Sequence, residues 1–152
     1  MINKLINLYK ILFWSNEKFA KKIGVKLGKS CSLGTRYFGS EPYLIEIGDN
    51  VQITTGVKFF THTGGWVYRS EFPNLDTFGK IIIGNNVYIG NNVLVLPGIT
   101  IGDNVVVGAG SVITKSIPNG KVVAGNPARI ISNYDDLKEK LLKYDVGTKG
   151  MS

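Results

Sequence analysis

The sequence predicts an all-β fold, a parallel β-helix of short strands wound into triangular coils. The first observation is a period. From Ile83 to Pro118 the chain divides into six consecutive blocks of six: IGNNVY, IGNNVL, VLPGIT, IGDNVV, VGAGSV and ITKSIP. The second is what recurs. Position one is always Ile or Val (83, 89, 95, 101, 107, 113), and position five is Val87, Val93, Ile99, Val105, Ser111 and Ile117. The third is the glycine at position two of four blocks, Gly84, Gly90, Gly102 and Gly108. A period of six fits neither the 3.6 of a helix nor the 2 of a long strand, but it is the signature of hexapeptide β-helices. Position one is expected to point inward, where β-branched residues suit extended backbone. Gly and the Asn-Asn or Asp-Asn pairs are expected at corners, on the argument that φ > 0 is cheap for them. Three sides close a coil of 18 residues, so the regular stretch makes two coils.

At 152 residues the chain is expected to form one domain, residues 1–152, large enough to bury a core. Glycine, at 19 residues, exceeds the usual ~7 %, as a fold built of corners requires. The lone Cys31 excludes an internal disulfide framework, suits a reducing, cytoplasmic setting, and is read as a small core residue. No signal peptide is evident, and no apolar run reaches the ~18 residues of a membrane span. The net charge of +7 is uneven. Residues 1–29 carry seven Lys and only Glu17 as an acid, a net +6, and the remaining chain is nearly neutral at +1. Whole-chain basicity is therefore poor evidence for nucleic-acid binding, and none is expected.

Along the chain, residues 1–26 form an N-terminal helical segment. Ile2, Leu5, Leu8, Leu12 and Phe19 recur at roughly helical spacing, with Lys on other faces. Such a segment can cover the open strand edges of the first coil or rest weakly on an anionic membrane surface; the cap is the expectation. Residues 27–131 form the β-helix, weak at first (LGKSCS, LGTRYF, then an irregular GSEPYLIE) and regular again from IGDNVQ at 47. Residues 65–80 (GWVYRSEFPNLDTFGK) have no hexad phase and read as an extruded loop. Residues 132–144 read as a C-terminal α-helix, with Ser132 or Asn133 as N-cap, Asp135 and Asp136 in the first turn and a Glu139–Lys143 pair.

From Ile47 to Ile131 the chain resembles the hexapeptide-repeat acyltransferases. The resemblance is carried by IGDNV at 47–51, TH at 61–62, the extruded loop, IIIGNNVYIG at 81–90, PGITIGDNVVVGAGSVITKSIP at 97–118 and AGNPAR at 124–129. GAGSVITKSIP followed by AGNPAR narrows it to the sugar O-acetyltransferases, which are similar to galactoside, maltose and surface-polysaccharide acetyltransferases. The resemblance implies a left-handed winding, a homotrimer, acetyl-CoA as co-substrate and no metal. It further implies His62 as general base, and Asn91, Ala109, Thr114, Lys115 and Arg129 as acetyl-CoA contacts. Two positions depart from the family pattern: Tyr88 stands where Trp is common, and Thr63 where galactoside-type enzymes carry a second histidine.

His62, the only histidine, ends a regular coil and opens the loop. A neutral imidazole there could take a hydroxyl proton as oxygen attacks a thioester carbonyl. In the loop, Trp66 is a candidate sugar-stacking face, and Arg69 and Glu71 are candidate hydroxyl partners. The expected activity is acetyl-CoA-dependent O-acetylation of a sugar hydroxyl in surface-glycan synthesis. Alternatives are acetylation of another small acceptor (an antibiotic, an amino sugar or serine) or a non-catalytic β-helix scaffold. A γ-class carbonic anhydrase needs three His ligands for its metal and is excluded by the single His.

Overall fold

The computed structural model describes residues 13–149. Its body is a three-sided prism of short parallel strands. The first face holds β1 (Lys26–Leu27), β3 (Ile45–Ile47), β6 (Ile81–Ile83) and β9 (Thr100–Ile101). On the second lie β2 (Ser32–Leu33), β4 (Val51–Ile53), β7 (Val87–Ile89), β10 (Val105–Val107) and β12 (Lys121–Ala124), with β13 (Arg129–Asn133) added antiparallel. The third holds β5 (Lys58–Phe59), β8 (Leu94–Val95) and β11 (Val112–Ile113). Each strand pairs with the strand one coil away, as in Ile83↔Ile101, Val87↔Val105 and Leu94↔Val112. The 18-residue coil expected from the hexads is therefore present.

Position-one residues stack into one buried column per face: Ile47–Ile83–Ile101, Ile53–Ile89–Val107 and Phe59–Val95–Ile113. Position-five residues are buried too, including Ser111, whose hydroxyl donates to the Gly108 carbonyl. Burying each Ile or Val contributes about 1.5–3 kcal/mol, so the stacked columns are the main source of cohesion.

The corners depart from the expectation in one respect. The left-handed backbone falls on position four, at Asn86, Asn92, Gly98, Asn104 and Gly110, and not on the position-two glycines. Position two is glycine because neighbouring coils approach too closely for a side chain. A Cβ on Gly84 would lie 2.9 Å from the Asp103 nitrogen and the Gly102 carbonyl carbon, and one on Gly48 would lie 2.7 Å from the Gly84 oxygen. Between the first and second faces the position-three and position-four side chains tie coil to coil. Asp49 N–H donates to Asn85 Oδ1 (2.8 Å), Asn85 N–H to Asp103 Oδ1 (2.6 Å) and Asp103 N–H to Asn119 Oδ1 (2.9 Å). Asn50, Asn86 and Asn104 form a parallel amide ladder at 2.9 and 3.1 Å.

Helix α1 (Asn16–Ile23) is shorter than the helical pattern of residues 2–23, because Ser15 starts it afresh as an N-cap accepting from Lys18 N–H. The part of that pattern at residues 1–12 lies outside the described residues. The helix packs Phe19, Ala20 and Ile23 against the core. Its polar side chains replace a missing strand: Asn16 Nδ2 donates to the Leu33 carbonyl (2.6 Å), and Leu33 N–H donates to Glu17 Oε1 (2.8 Å). Both β2 edge groups are thereby satisfied. Removing residues 1–23 takes these partners away and uncovers the first coil. The expected cost is about 3 kcal/mol or more, read by calorimetry as a fall of roughly 6–12 °C in melting temperature. An unchanged melting temperature would rule out a capping role. Cys31 packs against the same coil, its thiol facing the Lys29 and Gly48 carbonyls at 3.4 and 3.2 Å.

At the far end, residues 121–133 form the antiparallel hairpin β12–β13, where the sequence predicts the last part of the parallel β-helix running into a helix at 132. Helix α2 (Tyr134–Leu142) follows with Asn133 at the N-cap position, but that side chain donates to Asp136 Oδ2 (3.1 Å) and accepts no backbone N–H. No Glu139–Lys143 ion pair forms among the described residues. The helix overhangs the second face, leaving a cavity of about 550 Å³ above Gln52, Tyr88 and Val106.

Candidate active site

The corner between the third and first faces holds His62, Thr114 and Lys115. β5 and β6 are 36 residues apart from their own third- and first-face partners in register (Lys58↔Leu94, Ile45↔Ile81), twice the regular coil. The surplus is the extruded loop. Its neck is closed by Gly79 N–H to the Thr61 carbonyl (2.8 Å), Thr63 N–H to the Thr77 carbonyl (3.3 Å) and an antiparallel bridge between His62 and Phe78. His62 is thus fixed at a rigid neck with half of its side chain open to solvent.

A residue that sequence reasoning missed completes this point. His62 Nδ1 lies 3.1 Å from Glu41 Oε2. The same carboxylate oxygen accepts the hydroxyl of fully buried Thr61 at 2.5 Å. The Thr61 hydroxyl holds the Glu41 carboxyl below the ordinary carboxylate range; partial burial opposes this and the His62 imidazole adds to it. An ionised Glu41 accepts the Nδ1–H of a neutral imidazole, leaving the Nε2 lone pair available as a base. Glu41 lies in the irregular GSEPYLIE segment, twenty residues before Thr61. That is also the register offset between the first two coils (Lys26↔Glu46, Ser32↔Gln52). The offset is two residues longer than the regular coil, so the hexad count gave no signal for this pair.

Thr114 and Lys115 occupy the same corner two coils further on, just beyond β11. At ~4.8 Å per coil they lie roughly 10 Å along the axis from His62. Lys115 and Arg129 line a groove of about 360 Å³ with Ser116, Ile117, Pro118, Val123, Ala128 and Ile130. Neither cation forms an ion pair among the described residues, so the groove presents positive charge to an anion. Asn91 and Ala109 are not part of this corner. They adjoin each other between the second and third faces, where Gly110 N–H donates to the Asn91 carbonyl (2.7 Å). In the loop, the Arg69 guanidinium lies over the Trp66 ring at 5.4 Å and its Nε donates to the Leu75 carbonyl. Glu71 makes no side-chain hydrogen bond or ion pair among the described residues. Tyr88 lies outside this corner, in the cavity beneath α2. Among the described residues no cluster of three or more metal-ligating side chains occurs, and no helix is long and apolar enough to cross a membrane.

The prism is thus built of hexads, with an imidazole–carboxylate pair on one corner and a cationic groove near its far end. The chain belongs to the hexapeptide-repeat acyltransferase family. The family described as bacterial transferase hexapeptide (six repeats) matches residues 80–115. Protein CapG of Staphylococcus aureus is 49% identical over 141 residues, covering 90% of this chain and 82% of CapG. Galactoside O-acetyltransferase of Escherichia coli (strain K12) is 40% identical over 116 residues, and this match covers 72% of the chain but only 57% of that enzyme. Among solved structures, a hexapeptide-repeat acetyltransferase of Vibrio cholerae O1 biovar eltor complexed with acetyl coenzyme A superposes with a TM-score of 0.66 at 31% identity. That match covers 73% of this chain and 61% of the other.

Proposed function

We propose that this protein transfers the acetyl group of acetyl-CoA to a sugar hydroxyl in surface-glycan assembly, with His62 as the general base. The observation that carries the proposal is the His62–Glu41 pair on the corner that Lys115 also occupies two coils further on, where Lys115 shares a groove with Arg129. In the reaction, Nε2 takes the acceptor hydroxyl proton as its oxygen attacks the thioester carbonyl. The tetrahedral oxyanion collapses, the C–S bond breaks, and the imidazolium returns the proton to the departing thiolate. Glu41 fixes the productive tautomer and stabilises the transient imidazolium, the part a buried carboxylate plays beside a catalytic histidine.

Lys115 and Arg129 supply the charge that the coenzyme's phosphates require, with Thr114 beside them. Asn91 and Ala109 serve the same ligand from another copy. Their separation onto a second corner supports an assembly in which one protomer's groove is completed by its neighbour, as in a homotrimer of left-handed β-helices. Trp66, braced by Arg69, is the proposed sugar platform, with Glu71 free to meet a hydroxyl.

Acetyl-CoA at a hundredfold excess over its dissociation constant is expected to stabilise the protein by about 2.7 kcal/mol, read as a thermal shift; no shift would favour a non-catalytic scaffold. Lys115→Ala is expected to raise KM for acetyl-CoA severalfold while kcat changes little, because the ammonium acts on groups remote from the reacting carbonyl. If both constants stay unchanged in steady-state assays, Lys115 has no part in coenzyme binding.

A further inference from the structure

Helix α1 uses one face as a cap and, among the described residues, leaves the other unoccupied. Phe19, Ala20 and Ile23 face the core, while Lys18, Lys21 and Lys22, at i, i+3 and i+4, are exposed together. Lys29 is exposed at the adjoining corner of the first coil. None of these four lysines forms an ion pair among the described residues. The acids of this end are already engaged: Glu17 by Leu33 N–H, Asp49 by Lys29 N–H, and Glu46 by Lys26 and Lys80. These four lysines are thus displayed together, with no acid left to offset them among the described residues, at one end of the prism. Phe13 stands beside it, 71% exposed, next to Trp14, whose ring lies under the Lys18 ammonium at 5.2 Å.

We infer that this end of the prism docks on an anionic lipid bilayer. A blunt, lysine-bearing end with aromatics at its rim matches a flat, negatively charged surface, where Trp-type rings settle at headgroup level. A nucleic acid would instead call for a basic groove with stacking platforms, and none accompanies these lysines among the described residues. Docking is electrostatic and shallow, because the apolar face of α1 is committed to the core. It also orients the enzyme. Glu41 belongs to the first coil and His62 to the second, which puts the imidazole within roughly 10 Å of the docked end along the axis. An acceptor sugar carried on a lipid anchor would be presented at that height. This last consequence rests on the function proposed above; the docking does not.

The test is co-sedimentation of the full chain with phosphatidylcholine vesicles with and without phosphatidylglycerol, at low and high salt. Binding is expected only with phosphatidylglycerol and is expected to disappear once the screening length falls to ~3 Å near 1 M salt. Each lysine at such a surface is worth about a fivefold change in partitioning, so Lys18→Gln/Lys21→Gln/Lys22→Gln weakens binding about a hundredfold. The corresponding triple Arg variant binds like the parent, and acetylation of a small soluble acceptor is unchanged in both. The inference is overturned if phosphatidylglycerol vesicles do not bind, if neutral vesicles bind equally, or if the Gln variant binds as tightly as the parent. Loss of binding in the Arg variant, or tighter binding of duplex DNA than of the vesicles, overturns it as well.

Discussion

Replacing His62 by Ala is expected to lower turnover by about 10²–10⁴-fold, the usual share of a positioned general base. The substitution removes an imidazole whose side chain is half exposed and leaves the loop neck, which is held by backbone groups, in place. The melting temperature and the dissociation constant of acetyl-CoA should therefore stay close to the parent's. That separates loss of chemistry from loss of structure. Near-normal turnover in a folded, coenzyme-binding variant would remove His62 from the mechanism.

Glu41→Gln carries the second-largest expected effect, about 10–10²-fold on kcat with KM for acetyl-CoA unchanged. A carboxamide can offer Nδ1 either its oxygen or its NH₂ group. In the second arrangement the ring proton moves to Nε2, where it blocks the base. Glu41→Asp keeps the charge on a shorter arm and should recover part of the loss. The pH dependence follows from the sign of the shift. Glu41 has a lowered pKa in the folded state, so its charged contacts are complete above the ordinary carboxylate range and weaken only as pH falls through the lower folded value. Any loss of activity above about pH 5 therefore originates in another group. Equal kcat in the Gln variant and the parent would show that Glu41 does not position the imidazole.

The regular coils were legible because the six-residue period is a direct image of the geometry: one inward residue per side, repeated until the coil closes. Ile83, Ile89, Val95, Ile101, Val107 and Ile113 all proved buried on that basis. The purpose of the position-two glycines was not legible, since the constraint lies between coils, in the approach of Gly84 to Gly102 and Asp103, and no local pattern displays it. The same holds for Glu41. Its partner is distant in sequence, and the segment around it has no hexad phase by which to count coils. The break at Ser15 was visible in principle, as a hydroxyl residue opening a helix, but the apolar spacing of the preceding residues obscured it. The hairpin β12–β13 was missed because Arg129–Asn133 alternates weakly and exposes both Ile130 and Ile131.

The extruded loop has one more property. Strands on either side of it remain in phase after 36 residues, two whole coils, so the prism is indifferent to what hangs from the neck between Thr63 and Thr77. Doubling such a loop costs only about 0.6 kcal/mol in closure entropy. The scaffold therefore works as a socket with an exchangeable insert. A loop grafted from a relative onto this neck should fold in place and leave the His62–Glu41 pair where it is; under the function proposed above, the choice of acceptor would travel with the graft.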